Sequence, residues 1–481
     1  MNPYRFPRLA IPLSGLMYFL LALPSVHADN ELLDISLVAN LTGDEDSSLP
    51  RVPTPFNGKL YFSADVDGRE LWMSDGTEAG TELVIAIRPS SSFGSNPTDL
   101  TVAGDQLFFS ANDPDLGVSL WVSDGTTEGT KVLPINSVGG SPAHITAVGE
   151  RVFFRADDGN SGLELWVSDG TIDGTQLVED LRPGAHSNPT RLQALGDKLF
   201  FRADDGNTGA EPWVYDDNDG SISLLRDINP GEDGSQPHSF TPFGERILFN
   251  ADDGTGPNNS EPWISDGTPA GTIMLKDINP DGTSNPLNYQ VVGDRVFFSA
   301  WTPETGRELW VTDGTAEGTQ LVANINGNTS DSLTNSQGTV AFDNQFFTVA
   351  DDDIHGRELW RSDGTAGGTQ MVRDINPGSS SAIFPNVPPV EFAGRLYFGA
   401  TDGSAGRELW TTDGTEAGTF MVEDLWIGPS DSSPEVFTVV GEQLFFVATS
   451  ATSGRELHVA VLSAPEPTIF RDRFEELPAA Q

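Results

Sequence analysis

The sequence predicts an all-β fold: a single β-propeller of about nine four-stranded blades, closed by pairing of the N- and C-terminal strands. Three observations lead there. A unit typified by GRELWMSDGTEAGT (68–81) returns along most of the chain, adjacent phenylalanines recur in one strand of the unit, and the two ends of the array are incomplete in complementary ways.

The repeat is fixed by Trp72, Trp121, Trp166, Trp213, Trp263, Trp310, Trp360 and Trp410, with His458 in a ninth, blunted copy, GRELHVA. A period of about 45 to 50 residues marks an array of supersecondary units, none of which can bury its apolar face alone. The 481 residues include 51 Gly and 33 Pro, which leave few stretches long enough for helices, and no Cys, which excludes disulfides, thiolate metal sites and cysteine nucleophiles.

One unit, 97–136, shows the elements in order. LTVA, a Gly-Asp turn, QLFFSA, an acidic loop, SLWVS, the DGTTEG turn and TKVLPI read as a four-stranded antiparallel meander. The first turn returns as Gly149-Glu150, Gly196-Asp197, Gly244-Glu245, Gly293-Asp294 and Gly441-Glu442, all suited to hairpins that need positive φ. Phe108-Phe109, Phe153-Phe154, Phe200-Phe201, Phe297-Phe298 and Phe445-Phe446 point to opposite sides of one strand, so both faces must be buried, as in a propeller blade. Asp-Gly-Thr-x-x-Gly-Thr, beginning at Asp75, Asp124, Asp169, Asp266, Asp313, Asp363 and Asp413, reads as a hairpin loop in which Asp accepts from the backbone two residues on. The eight tryptophans read as packing residues between blades.

The termini complete the ring. LVANL (37–41) has no unit of its own yet nearly repeats LVANI (321–325), and the last unit stops after GRELHVAVL. Pairing them leaves no open edge. Pro212 and Pro262, which replace the usual Leu, predict a bulge at the start of their strands, and 210–221 departs furthest from the repeat.

The unit resembles the ELWxxDGT repeat family of exported bacterial proteins, over nearly all of residues 36–462. The resemblance implies a repetitive, propeller-like β architecture on secreted or surface proteins, and no catalytic residue. The chain departs from it at Ser119, which replaces the Glu, and at YDDNDGS (215–221), which replaces the usual turn.

Residues 1–28 read as a signal peptide: Arg5 and Arg8 precede LAIPLSGLMYFLLALP, and Val26-His27-Ala28 suits a signal peptidase. The expected organisation is then 29–464 as the repeat domain and 465–481, containing IFRDRFEE, as a flexible tail. The expected location is periplasmic, secreted or at the cell surface. A net charge of −45 disfavours nucleic acid and anionic membranes, and no later segment is long and apolar enough to span a bilayer.

Chemistry is sparse in the sequence. There is no HExxH pair, GxSxG elbow, P-loop or dinucleotide fingerprint, and His144, His186, His238, His355 and His458 fall at unequal positions of different units. Paired acids in the loops, Asp157-Asp158, Asp204-Asp205 and Asp252-Asp253, are candidate calcium ligands, although a solvated acidic rim fits them better. No other cofactor is expected. The resulting expectation is an exported, monomeric, non-catalytic binding or scaffolding module that presents an acidic loop face to a protein or glycan. The rivals are a propeller enzyme acting on glycans or polyesters, which should break its repeat with acids, His or Arg at the channel, and a self-assembling surface protein.

Overall fold

The computed structural model describes residues 33–463, apart from 44, 45, 90, 137, 138, 257, 258, 336 and 337; the expected signal peptide and tail lie outside the described residues. Nine four-stranded antiparallel sheets form the blades of a propeller. Blades 1 to 8 span 51–85, 98–133, 143–179, 190–224, 238–274, 287–323, 339–371 and 390–423, and blade 9 joins 435–462 to 33–37. In blades 1 to 8 the strands follow chain order, in blade 9 the N-terminal strand 33–37 lies outermost, and first strands of neighbouring blades contact one another, so the first strand lines the channel.

The ring closes where the sequence places it. Leu33 pairs with Leu462 and Leu37 with His458, and the Val38 N–H donates to Leu457 O at 2.9 Å. The strand is Leu33–Leu37 rather than 37–41 because its partner, Gly454–Leu462, meets no Asp-Gly-Thr turn and offers a longer ladder.

The phenylalanine pairs divide between two interfaces. Phe108 packs with Phe154 and Trp166 of blade 3, whereas Phe109 packs with Tyr61 and Leu71 of blade 1. Tryptophans face the preceding blade: Trp121 stacks on Phe109 with centroids 6.2 Å apart. Six of the eight are buried, and Trp72 and Trp360 are half-buried. In blade 9 the buried His458 ring stacks on Phe446 at 5.5 Å.

Pro212 and Pro262 cause no bulge against the second strand; they pair in register with Arg202 and Asn250. Their carbonyls accept from Leu225 and Leu275 on the outer side, so the missing N–H faces the outermost strand, just beyond its last ladder pairs, Trp213–Leu224 and Trp263–Met274. No ladder bond is lost there. The 210–221 segment forms a regular hairpin, with Gly220 N–H donating to Asp216 O at 2.9 Å.

The Asp-Gly-Thr loop is the expected turn in all seven copies. Asp75 Oδ1 accepts from Thr77 N at 2.9 Å and from Thr77 Oγ1 at 2.7 Å, and Thr77 Oγ1 accepts from Gly80 N at 3.0 Å. The Glu of Glu-Leu-Trp has a role that the repeat alone does not reveal. Glu261 is fully buried and accepts from Ile278 N at 2.9 Å, Ser284 N at 2.8 Å and Ser284 Oγ at 2.7 Å, thereby holding both ends of the linker to blade 6. Glu70, Glu164, Glu211, Glu308 and Glu408 hold their linkers through Ser95, Ser187, Ser235, Ser332 and Ser432. Glu358 holds Ile375 and Asn376, and Glu456 closes the ring on Ser48. Blade 2 lacks this clasp, having Ser119 opposite Gly140.

Trp310→Ala should lower stability by about 3–5 kcal/mol, as other large core truncations do, measured by denaturant unfolding. Burial outweighs the donated hydrogen bonds and pushes the carboxyls of Glu211, Glu308 and Glu358 up to about 7. Their raised folded pKa favours the protonated state, so the stability they contribute is full below the unfolded value of 4.5 and is lost as pH rises through about 7. The melting temperature should fall between pH 5 and pH 8, and Glu211→Gln should make that fall shallower; an unchanged slope would refute the assignment.

Candidate functional site

The first strand starts at the face that carries the interblade linkers and the loops between second and third strands. There the chain passes through Ser-Asn-Pro or a relative of it into a bulge, whose second strand residue takes a left-handed conformation: Val52, Asp99, His144, Arg191, Ser239, Asn288 and Val436, with φ between 48° and 60°. A left-handed backbone is unfavourable for non-glycine residues and most of all for Val. Seven blades pay this cost at the same point, and the bulge sets those residues at the rim of the channel.

The rim is chemically uneven. Opposite the Leu or Pro of Glu-Leu-Trp, the second strand carries Ser63, Ser110, Arg155, Arg202, Asn250, Ser299, Val349, Gly399 and Val447 in blades 1 to 9. Only blades 3 and 4 place a cation there. Arg155 Nη1 donates to Asn188 Oδ1 at 2.8 Å; Arg202 donates through Nε to Thr190 Oγ1 at 3.1 Å and through Nη1 to Gln236 Oε1 at 3.3 Å. The buried Arg155 Nε has no hydrogen-bond partner among the described residues.

Arg191 stands exposed on the first strand of blade 4, between His144 of blade 3 and His238 of blade 5. Burial lowers both imidazoles, and the nearby arginines lower them further: Arg155, Arg191 and Arg202 for His144, with Asp99 opposing, and Arg191 and Arg202 for His238, which falls to about 4. Both rings are therefore neutral at pH 7 and can donate and accept hydrogen bonds. Beside Arg202 a cavity of about 280 Å³ is lined by Arg182, His186, Ser187, Asn188, Asp204 and Gln236, with Arg182 and Asp204 ion-paired in its wall. An otherwise acidic protein thus gathers bases at one side of its channel.

The paired aspartates do not gather. Asp157 and Asp158 accept from Gly159 N and from Asn160 and Ser161 N; Asp204 and Asp205 from Gly206 N and from Asn207 and Thr208 N; Asp252 and Asp253 from Gly254 N and Thr255 N. Each pair shapes its own loop, and among the described residues no three His, Cys, Asp or Glu side chains come together as a metal site. Of the other histidines, His355 bonds Asp352 at 2.7 Å, and His186 Nδ1 accepts from Leu163 N at 2.8 Å. The basic cluster was missed in the sequence because its members lie in three different units; the available signal was Arg in FFRAD (153–157 and 200–204) where most units have a small or neutral residue.

No protein-family model and no curated protein matches the chain, so the ELWxxDGT resemblance stays a reading of the sequence. Solved structures do match. A prolyl endopeptidase is similar at 13% identity and a TM-score of 0.42 over 78% of this chain and 55% of its own; a puromycin hydrolase at 14% and 0.39 over 79% and 55%. The β-propeller domain of the Trilobed protease from Pyrococcus furiosus is similar at 11% and 0.35, over 68% of this chain and 98% of its own. The chain spans about half the length of the first two. At such identities the likeness is one of fold. The expected non-catalytic binding or scaffolding module with an acidic loop face is set aside, because the rim converges on bases while the paired acids are engaged in the turns of their own loops.

The cluster predicts its own titration. Removing a positive charge favours the imidazolium, so Arg202→Gln should raise the His238 pKa from about 4, while burial, the larger cause, keeps it below 6.5. An NMR titration of the His238 ring checks this, and an unmoved midpoint would show that Arg202 and His238 are not coupled.

Proposed function

We propose that this chain is a peptidase-type propeller, in which the loop-side mouth of the channel receives a peptide and positions it for hydrolysis. The observation that carries the reading is the break in the repeat at blades 3 to 5, where Arg155 and Arg202 replace the neutral second-strand residues of all other blades and Arg191, His144 and His238 stand beside them on the first strands. Conversion of identical blades into a one-sided polar surface is what substrate positioning requires, since loops and rims on a rigid scaffold carry recognition. The amides of Asn188 and Gln236 and the neutral imidazoles offer both donors and acceptors, which suits a peptide backbone. The expected export would place this reaction outside the cytoplasm.

The test is a panel of short fluorogenic peptides of negative, neutral and positive charge, offered to the purified chain, with cleavage and saturable binding both recorded. Binding or cleavage of at least one class is expected, weakened about tenfold or more by Arg155→Ala/Arg202→Ala, equivalent to about 1.4 kcal/mol. A chain that neither binds nor cleaves any of them would sink the reading.

A further inference from the structure

We infer that the mouth recognises a carboxylate on its peptide, held by Arg155 and Arg202 of adjacent blades; this rests on the peptide reading above and adds the group that is recognised.

A comparison around the ring separates these two arginines from the rest. Five other blades carry an arginine at the head of the third strand: Arg69, Arg307, Arg357, Arg407 and Arg455. Where that arginine is bonded toward the second strand, it is engaged by the backbone. Arg69 Nη1 donates to Leu49 O at 2.8 Å and to Ser63 O at 3.1 Å, Arg307 Nη1 donates to Asn285 O at 2.9 Å, and Arg455 Nη1 to Ser433 O at 3.4 Å. Leu49, Asn285 and Ser433 each stand just before the linker proline, so these cations fasten the linker that leads into their own blade.

Blades 3 and 4 have Leu163 and Ala210 at the head of the third strand and deliver the cation from the second strand instead. The changed origin changes the partners. Arg155 and Arg202 reach across to side chains of the following linker, Asn188 and Gln236, which are neutral acceptors that carry no charge to oppose the guanidinium. Neither arginine makes an ion pair among the described residues, although the chain has 71 acidic residues; the Asp99 carboxylate acts on Arg155 only through space, and no carboxylate acts so on Arg202. The cavity beside Arg202 is also polar, and its other cation, Arg182, is already paired with Asp204.

A planar guanidinium with unspent donors fits a carboxylate through two parallel hydrogen bonds. The surroundings favour a peptide as its bearer. The large apolar side chains exposed on the loop face include Phe93, Trp301, Ile354, Phe384 and Ile427, all in blades or linkers outside blades 3 to 5, so among the described residues no exposed aromatic platform for a sugar ring shares the blades of the arginines. Two sources of the carboxylate fit the same chemistry, a free C-terminus and an acidic side chain.

Three tetrapeptides with the same neutral N-terminal coumarin label distinguish them: one with a free C-terminus and neutral side chains, one amidated with a single Glu, and one amidated and neutral. Fluorescence anisotropy with the full chain should show the first or the second bound about tenfold more tightly than the third, a preference that weakens as salt rises. Preference for the first assigns a terminal carboxylate, and preference for the second a side-chain carboxylate. Arg155→Gln/Arg202→Gln, with an unchanged melting temperature, should abolish the preference, so that the carboxylate-bearing peptide binds no more tightly than the neutral one. Equal binding of all three, survival of the preference in the double variant, or stronger competition by an oligouronate or inorganic phosphate than by the peptides would overturn carboxylate recognition while peptide binding stood. Absence of binding by all three would instead remove the peptide reading on which it rests.

Discussion

A buried glutamate at the head of the third strand, bonded to the linker that leads to the next blade, is the interaction on which the rest of this ring depends. A carboxyl at 0% exposure, as for Glu164, Glu211, Glu261, Glu308, Glu358, Glu408 and Glu456, is costly to bury unless its oxygens are satisfied. Backbone N–H groups at one end of the linker, and in most blades a serine at the other, satisfy them. The linker is thereby pinned at both ends, and its Ser-x-Pro exit delivers the following first strand to the channel rim at a fixed angle. The same device closes the circle through Glu456 and Ser48, so the seam between the termini is built like the other joints.

The rim geometry follows from this clasp. With the linker fixed, the left-handed residues and the bulge at the start of the first strand are over-determined, which is how a strained backbone persists in a folded protein. Asp99, His144 and Arg191 stand in successive blades at equivalent places, and the Asp99 carboxylate accepts from the His144 N–H at 3.1 Å across the blade boundary. Blade 2 is the exception: Ser119 and Gly140 leave the joint to blade 3 without a carboxylate, held by backbone bonds such as Ser141 N to Val118 O at 3.0 Å. That joint adjoins the basic cluster.

Much of the fold was legible because periodicity reports burial. Adjacent phenylalanines demand two buried faces, Gly-Asp and Asp-Gly-Thr demand hairpins, and the unfinished ends demand each other. The proline strands were misread because the direction of a missing N–H depends on which neighbour stops first, and strand ends are not visible in spelling. The site was less legible for a related reason. Acids adjacent in sequence, such as Asp204 and Asp205, look like a constellation but turn to their own loop, whereas Arg155 and Arg202, a full repeat apart, become neighbours only when blades stack. The repeat makes exceptions detectable, and the informative exceptions were Arg for Ser in the second strand, not the doubled aspartates.

The most direct test of the clasp is a double-mutant cycle on Glu261 and Ser284, measured by equilibrium unfolding of the single and double alanine variants. If the buried carboxyl and the linker hydroxyl hold the joint together, their coupling should be about 1–3 kcal/mol, the span from a neutral hydrogen bond to one on a charged group. Single-variant losses that add to within about 0.5 kcal/mol would show independent sites and contradict the account.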